Sequence, residues 1–275
     1  MGINQIEFLP LDKSWYIRLC ILSLCDADDI IDDSVLQFLS DKELCDDLKS
    51  TVNAVKNFHH KTINVGESAT LLRFLKFYCW KNNIDKKFVV GPMLKRRQVC
   101  NDKDIVNLSL EKLLELDYGT SQWASASILM GNDEDIKTDN EKILMSKRAV
   151  KFWNEGEKIE IVIDKVIEKQ AKYFLGYDST FEYSCAEDYC FSRSFGFLTR
   201  EEGENLWPQL INHESNRLDE MENQIDNRVI TSTDHRVVQS LALKAKKNNK
   251  LNVDIVNPTC VSKSWPEFWK FYEQG

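Results

Sequence analysis

The sequence predicts an α/β protein. Apolar residues recur at helical spacing in long runs, such as Val237, Val238, Leu241, Leu243 and Ala245. Short apolar stretches between such runs, such as Val253 to Val256, read as strands. The chain has 275 residues, of which 43% are hydrophobic and 29% charged, enough for one large core or two moderate ones without staples.

Taken in order, Ile3 to Leu11 alternates loosely and reads as a strand. Asp12-Lys13-Ser14 then opens an apolar helix through Trp15, Ile17, Leu19, Cys20, Ile21, Leu22 and Leu24. Lys13, Ser14 and Arg18 share its first turns, either as solvated end charges or as ligands for an anion. Asp32-Asp33-Ser34 caps an amphipathic stretch from Val35 to about Val55. Val65-Gly66-Glu67-Ser68-Ala69-Thr70 is a glycine turn feeding a helix through Leu71, Leu72, Phe74 and Leu75. A strand from Lys87 to Val90 runs into Gly91-Pro92 and the basic run Lys95-Arg96-Arg97. Thr120-Ser121-Gln122 opens a helix of small residues, Ala124 to Ser127.

Gly131 to Glu141 reads as a polar link, Ile143 to Trp153 as a helix and Ile159 to Ile163 as a strand. Phe181 to Asp188 precedes a helix ending near Phe197, and Gly203 to Pro208 reads as a linker. His213-Glu214-Ser215-Asn216-Arg217 opens a helix through Leu218, Met221 and Ile225. Thr233-Asp234-His235-Arg236 opens another. Val261-Ser262-Lys263-Ser264 leads into Trp265-Pro266, a further helix start with proline in its first turn.

Several of these helix starts carry Arg or Lys. A cation there opposes the helix dipole, so the pattern points to an anion bound among unpaired first-turn N–H groups. The net charge of −8 and pI near 5.2 argue against a nucleic-acid partner but leave room for a small anionic substrate in a locally positive cleft. The eight cysteines form no CxxC pair and read as reduced buried thiols, so no metal is expected, Cys185 and Cys190 included. Met1-Gly2-Ile3-Asn4 lacks a basic leader, and no run is long and apolar enough to span a membrane. A cytoplasmic chain is expected.

The motifs in order resemble the EPSP (5-enolpyruvylshikimate-3-phosphate) synthases of the enolpyruvyl transferase family. The resemblance rests on Lys13-Ser14 with Arg18, then Gly66-Glu67-Ser68-Ala69-Thr70-Leu71-Leu72-Arg73, Arg97, Thr120-Ser121-Gln122, Asp188, His213-Glu214-Ser215-Asn216-Arg217-Leu218, Asp234-His235-Arg236 and Lys263-Ser264. It runs nearly end to end. It implies a two-domain inside-out α/β barrel built from repeated βαβαββ units, with helices inside and substrates in the cleft. One domain would span 12–155; the other would combine 1–11 with 156–275, completed by the N-terminal strand.

The implied reaction moves the enolpyruvyl group of phosphoenolpyruvate onto the 5-hydroxyl of shikimate 3-phosphate, releasing phosphate, with no cofactor. By the resemblance, Lys13, Ser14, Arg18, Thr120, Ser121, Gln122, Asp188 and His213 hold shikimate 3-phosphate. Lys13, Thr70, Arg97, Gln122, Arg217, His235, Arg236 and Lys263 hold phosphoenolpyruvate. Asp188, Glu214 and Lys13 are the catalytic set, with Asp188 as candidate base and Glu214 as proton shuttle. A monomer whose partners are small anions is implied.

The chain departs from the family at His213 (usually Lys), Asn216 (Asp), Ala69 (Gly), Gln98 (Pro, with Arg96 as an alternative to Arg97) and Lys142 (Tyr). It is also shorter, with gaps between Arg97 and Thr120 and between Trp153 and Asp188, so strand–helix units are missing or reduced in each domain.

Overall fold

The computed structural model describes residues 6–25, 34–97, 99–116, 120–211, 217–248 and 253–275. The chain is a mostly helical α/β protein that divides into two compact units. One spans Lys13–Val162, and the other joins Met1–Asp12 to Ile163–Gly275. Among the described residues no sheet exceeds two strands and no barrel closes. No helix among them is long and apolar enough to cross a membrane.

The Lys13–Val162 unit begins with α1 (Lys13–Cys25), whose positions Tyr16 to Leu24 are all buried. The stretch expected as one amphipathic run is two helices, α2 (Ser34–Leu39) and α3 (Asp46–Lys56). The break has a local cause. The N–H groups of Ser40 and Lys42 turn back to the carbonyls of Gln37 and Leu39, ending the first helix. Asp46 and Asp47 then supply a new first turn suited to the dipole.

Next come β1 (Thr62–Gly66), α4 (Ala69–Lys81) and β2 (Lys87–Val90). The two strands are parallel, so a crossover must join them, and α4 is that crossover. Glu67, in the turn after β1, accepts from the N–H groups of Met93 (3.1 Å) and Leu94 (2.6 Å). It thereby caps α5 (Pro92–Lys95), which follows β2. Helices α6 (Leu110–Leu116), α7 (Gln122–Leu129) and α8 (Glu141–Asn154) complete this unit.

The expected strand at Ile159–Ile163 does not form. The Tyr16 hydroxyl donates to the Glu160 carbonyl (2.6 Å) and accepts from the Val162 N–H (2.9 Å), taking the place of a strand partner. Only Ile163 bridges, antiparallel to Leu11. The N-terminal strand is likewise reduced within residues 6–11. Phe8 has φ 65°, and Pro10 has no N–H to give a ladder.

The other unit contains α9 (Lys165–Phe174), α10 (Tyr189–Phe195), α11 (Arg200–Leu206), α12 (Arg217–Gln224), β3 (Val229–Ile230), α13 (His235–Lys247), β4 (Asp254–Ile255) and α14 (Phe268–Gln274). Its core gathers Tyr189, Phe191, Trp265, Phe268 and Phe271 around Val237, Val238 and Leu241. The segment from residue 6 joins this core, and the Trp265 indole donates to the Phe8 carbonyl at 2.6 Å.

The pair β3–β4 is also parallel and is bridged by α13, so each unit holds one β-α-β element. The two elements match closely. Both helices have 13 residues. One constant offset relates the N-caps Ser68 and Asp234, the C-caps Asn82 and Asn248, the prolines Pro92 and Pro258, and the cations Arg97 and Lys263. Every buried position of α4 has a buried counterpart on α13 under that offset.

The segment expected as a linker at Gly203 to Pro208 is largely α11, with Gly203 in its interior. A Cβ on Gly203 would lie 2.4 Å from the ring of Tyr189, which is fully buried. Glycine is there for close approach, not for a turn. Gly203→Ala therefore forces that ring to shift and costs about 1–3 kcal/mol, despite alanine's better helix propensity. Thermal unfolding checks this, and a melting temperature equal to or above wild type would show that the ring yields freely.

Candidate functional site

The predicted residues fall into two groups, one in each unit. In the Lys13–Val162 unit, Lys13 opens α1 and pairs with Asp47 of α3 at 2.7 Å. Ser14 accepts on its carbonyl from Arg18 Nη1 at 2.7 Å. Arg18 is 3% exposed, so it is not a solvated end charge. Its Nε donates to Ser146 Oγ (2.8 Å), its Nη2 to Ser125 Oγ and the Lys142 carbonyl (both 3.2 Å). Its guanidinium also sits 5.7 Å from the Phe74 ring centre. One arginine thus ties α1 to α4, α7 and α8.

Thr70 lies half-buried in the first turn of α4, whose N-cap is Ser68. Thr120 carries a buried Oγ1 that has no hydrogen-bond partner among the described residues. Ser121 is fully buried with φ 59°, a left-handed conformation uncommon outside glycine. Its Oγ accepts from Asn140 Nδ2 at 2.6 Å and gives α7 no side-chain cap. Gln122 accepts from Arg73 Nη1 at 2.6 Å. Arg97 is half-buried just beyond α5, and among the described residues its side chain has no partner.

In the other unit, Arg217, His235 and Arg236 lie around the start of α13, and Asp188 is held separately by Lys169 of α9. Asp234 is the organiser. Its Oδ1 caps the helix by accepting from the N–H groups of Arg236 (2.9 Å) and Val237 (3.4 Å). Its Oδ2 pairs with Arg217 at 3.0 Å. Burial works to lower the Arg217 guanidinium and to raise the Asp234 carboxyl, but their mutual attraction outweighs it in both. The arginine is held above its usual range and the carboxyl well below the usual carboxylate range.

The turn before α13 is pinned as firmly. Ser232 donates to Glu220 and accepts from the Asp234 N–H (2.9 Å). Gln224 accepts from the N–H groups of Thr231 (2.7 Å) and Ser232 (3.0 Å). Arg236 is buried and donates to the carbonyl of Glu187, the residue before Asp188, at 3.4 Å. Behind them, burial pushes the Cys190 thiol up to about 12, an inert packing role. Lys263 ends the 3-10 turn Pro258–Lys263, next to Ser264, whose Oγ accepts from Gln239 of α13 at 3.1 Å. His213 and Glu214 lie outside the described residues.

Three participants were not assigned from sequence. Lys169 reaches Asp188 at 2.7 Å, Asp47 takes Lys13, and Arg73 holds Gln122. Arg73 left a signal, a cation flanked by Leu71, Leu72, Phe74 and Leu75 on an apolar helix. Lys169 left none, because Lys165, Lys169 and Lys172 look alike on an amphipathic helix. Comparison of the chain with family models, curated proteins and solved structures finds no match.

Two outcomes follow from this geometry. Arg217→Met removes the partner that holds Asp234 low, and costs about 1–3 kcal/mol at pH 7, since both side chains are partly exposed. A depressed carboxyl stabilises the fold above its unfolded value near ~4 and loses that contribution as pH falls below it. The deficit of the variant, read by urea unfolding, therefore shrinks below about pH 4; a deficit constant with pH would mean lost packing instead. Arg18→Met leaves Ser125 and Ser146 without their cation and costs about 3 kcal/mol. An Arg18→Met protein that melts like wild type would mean that Arg18 is not needed for the fold.

Proposed function

We propose that this chain transfers the enolpyruvyl group of phosphoenolpyruvate to the 5-hydroxyl of shikimate 3-phosphate and releases phosphate. The observation that supports this reading is the placing of Arg217, His235 and Arg236 at one helix start, with Arg236 reaching the main chain at Glu187, the residue before Asp188. Two arginines and a histidine at one helix start suit a carbon that bears phosphate and carboxylate, with a carboxylate one residue from the Arg236 contact to take the hydroxyl proton.

In the addition step the acceptor oxygen bonds to C2 of phosphoenolpyruvate. Its proton passes to Asp188 while C3 gains one from Glu214. In the elimination step C3 returns its proton to Glu214, and the bond from C2 to the phosphate oxygen breaks as the proton held by Asp188 passes to the leaving phosphate. Arg217, Arg236, Lys263, Arg97 and His235 balance the leaving phosphate and the carboxylate. Lys13, Ser14, Arg18, Thr120, Ser121, Gln122 and His213 bind the acceptor, with Thr70 on the phosphoenolpyruvate side. On this reading each unit retains one β-α-β of the repeated βαβαββ elements of an inside-out barrel, and the protein works as a cytoplasmic monomer without cofactor.

A second reading, an anion-binding homologue that does not turn over, is favoured by one observation. Arg18 spends its donors on Ser14, Ser125, Lys142 and Ser146, and Lys13 is paired with Asp47. Phosphate release from the purified chain separates the two. The transferase reading expects release only when phosphoenolpyruvate and shikimate 3-phosphate are both present, with a loss of about 10²-fold or more in Glu214→Ala. Calorimetric binding of either anion without release would establish the second reading.

A further inference from the structure

Asp188 is completely buried, yet its two oxygens are treated differently. Oδ2 accepts from the N–H groups of Ser184 (2.8 Å) and Cys185 (3.3 Å) and from Lys169 Nζ (2.7 Å), with Cys185 Sγ at 3.6 Å. Oδ1 is buried with no hydrogen-bond partner among the described residues. An unsatisfied buried carboxylate oxygen is costly, and a protein that keeps one normally has a use for it.

Lys169 comes from α9, a different element from the one that carries Asp188. It is itself anchored, donating to Ser184 Oγ at 3.3 Å and lying 5.1 Å from the Phe181 ring centre. Phe181 packs on Phe191 of α10, the helix that Asp188 precedes. The ammonium therefore rests against a ring that packs on α10, and the carboxyl plane cannot turn without losing the four donors to Oδ2.

We propose that Lys169 is the positioning residue for Asp188. By fixing Oδ2 it leaves Oδ1 as the one oxygen free to accept the proton of an acceptor hydroxyl. This rests on the reading of Asp188 as the group that takes that proton. The role falls to a lysine that no motif marks, and it makes the carboxylate one-sided.

The test uses the full chain as wild type, Lys169→Met and Lys169→Arg, with phosphate release measured against shikimate 3-phosphate concentration. In Lys169→Met, kcat falls about 10- to 100-fold with KM for shikimate 3-phosphate unchanged, because Lys169 orients the base and does not touch the acceptor. Lys169→Arg recovers most of the loss, since a guanidinium also donates to Oδ2. Unchanged kcat in Lys169→Met, or a loss that Lys169→Arg does not relieve, overturns the proposal. A second readout needs no turnover, the carboxyl 13C resonance of Asp188 in the free protein. It moves in Lys169→Met and returns in Lys169→Arg; a resonance that stays put overturns the pairing itself. Phosphate release absent from wild type, with the resonance responding as described, overturns the transfer reading and the positioning role but leaves the pairing standing.

Discussion

The Asp234 carboxylate is the interaction on which the candidate site depends. One oxygen ends the N-terminus of α13 and the other holds Arg217, so a single side chain fixes the helix start and the cation beside it. It also resolves a conflict in the sequence. Arg236 sits where the helix dipole is positive, which by itself is unfavourable. The negative charge one residue before His235 offsets that, and the Glu187 carbonyl takes one of the Arg236 donors. Anion binding at this helix start is then a matter of adding charge to a region already balanced, not of rescuing one that repels itself.

Each unit uses the same device. A short parallel strand pair is bridged by a helix whose first turn is capped by Ser68 in one unit and Asp234 in the other. Burial on the helix follows the same pattern in both, and a buried polar side chain occupies the same station, Arg73 in α4 and Gln239 in α13. Each reaches across to the segment that completes its site, Arg73 to Gln122 and Gln239 to Ser264. The chemistry-bearing residues are thus held by backbone geometry that the chain has built twice, and the two copies differ in charge more than in shape.

Much of this was legible. Periodicity alone marks the buried helices α1, α4 and α13, because their apolar residues leave no other way to hide. Lys87–Val90 and the strand ending at Ile255 were also readable from short apolar runs. The failures have local causes that composition does not show. Tyr16 occupies the polar groups of residues 160 and 162, so an apolar stretch that reads as a strand has no need of one. Gly203 reads as a linker because glycine usually marks a turn, whereas here its missing Cβ makes room for the Tyr189 ring. In the candidate site, the Asp234-His235-Arg236 helix start was readable from sequence as a capped N-terminus. Lys169 and Asp47 were not, since a lysine or aspartate on an amphipathic helix carries no mark of the partner that folding will bring to it.

The unit that ends the chain is also stitched to its beginning. The carbonyls of Phe8 and Pro10 are taken by Trp265 and Asp164, and Leu11 bridges Ile163. During synthesis the Lys13–Val162 unit can close as soon as it leaves the ribosome, because all of its parts are contiguous. Residues 6–11 have to wait for the segment from 163 onward, and the Phe8 carbonyl gains its indole partner only when Trp265 emerges. Removal of residues 6–11 or of residues 258–275 therefore strikes the same body, the one that carries Asp188, Arg217 and Arg236.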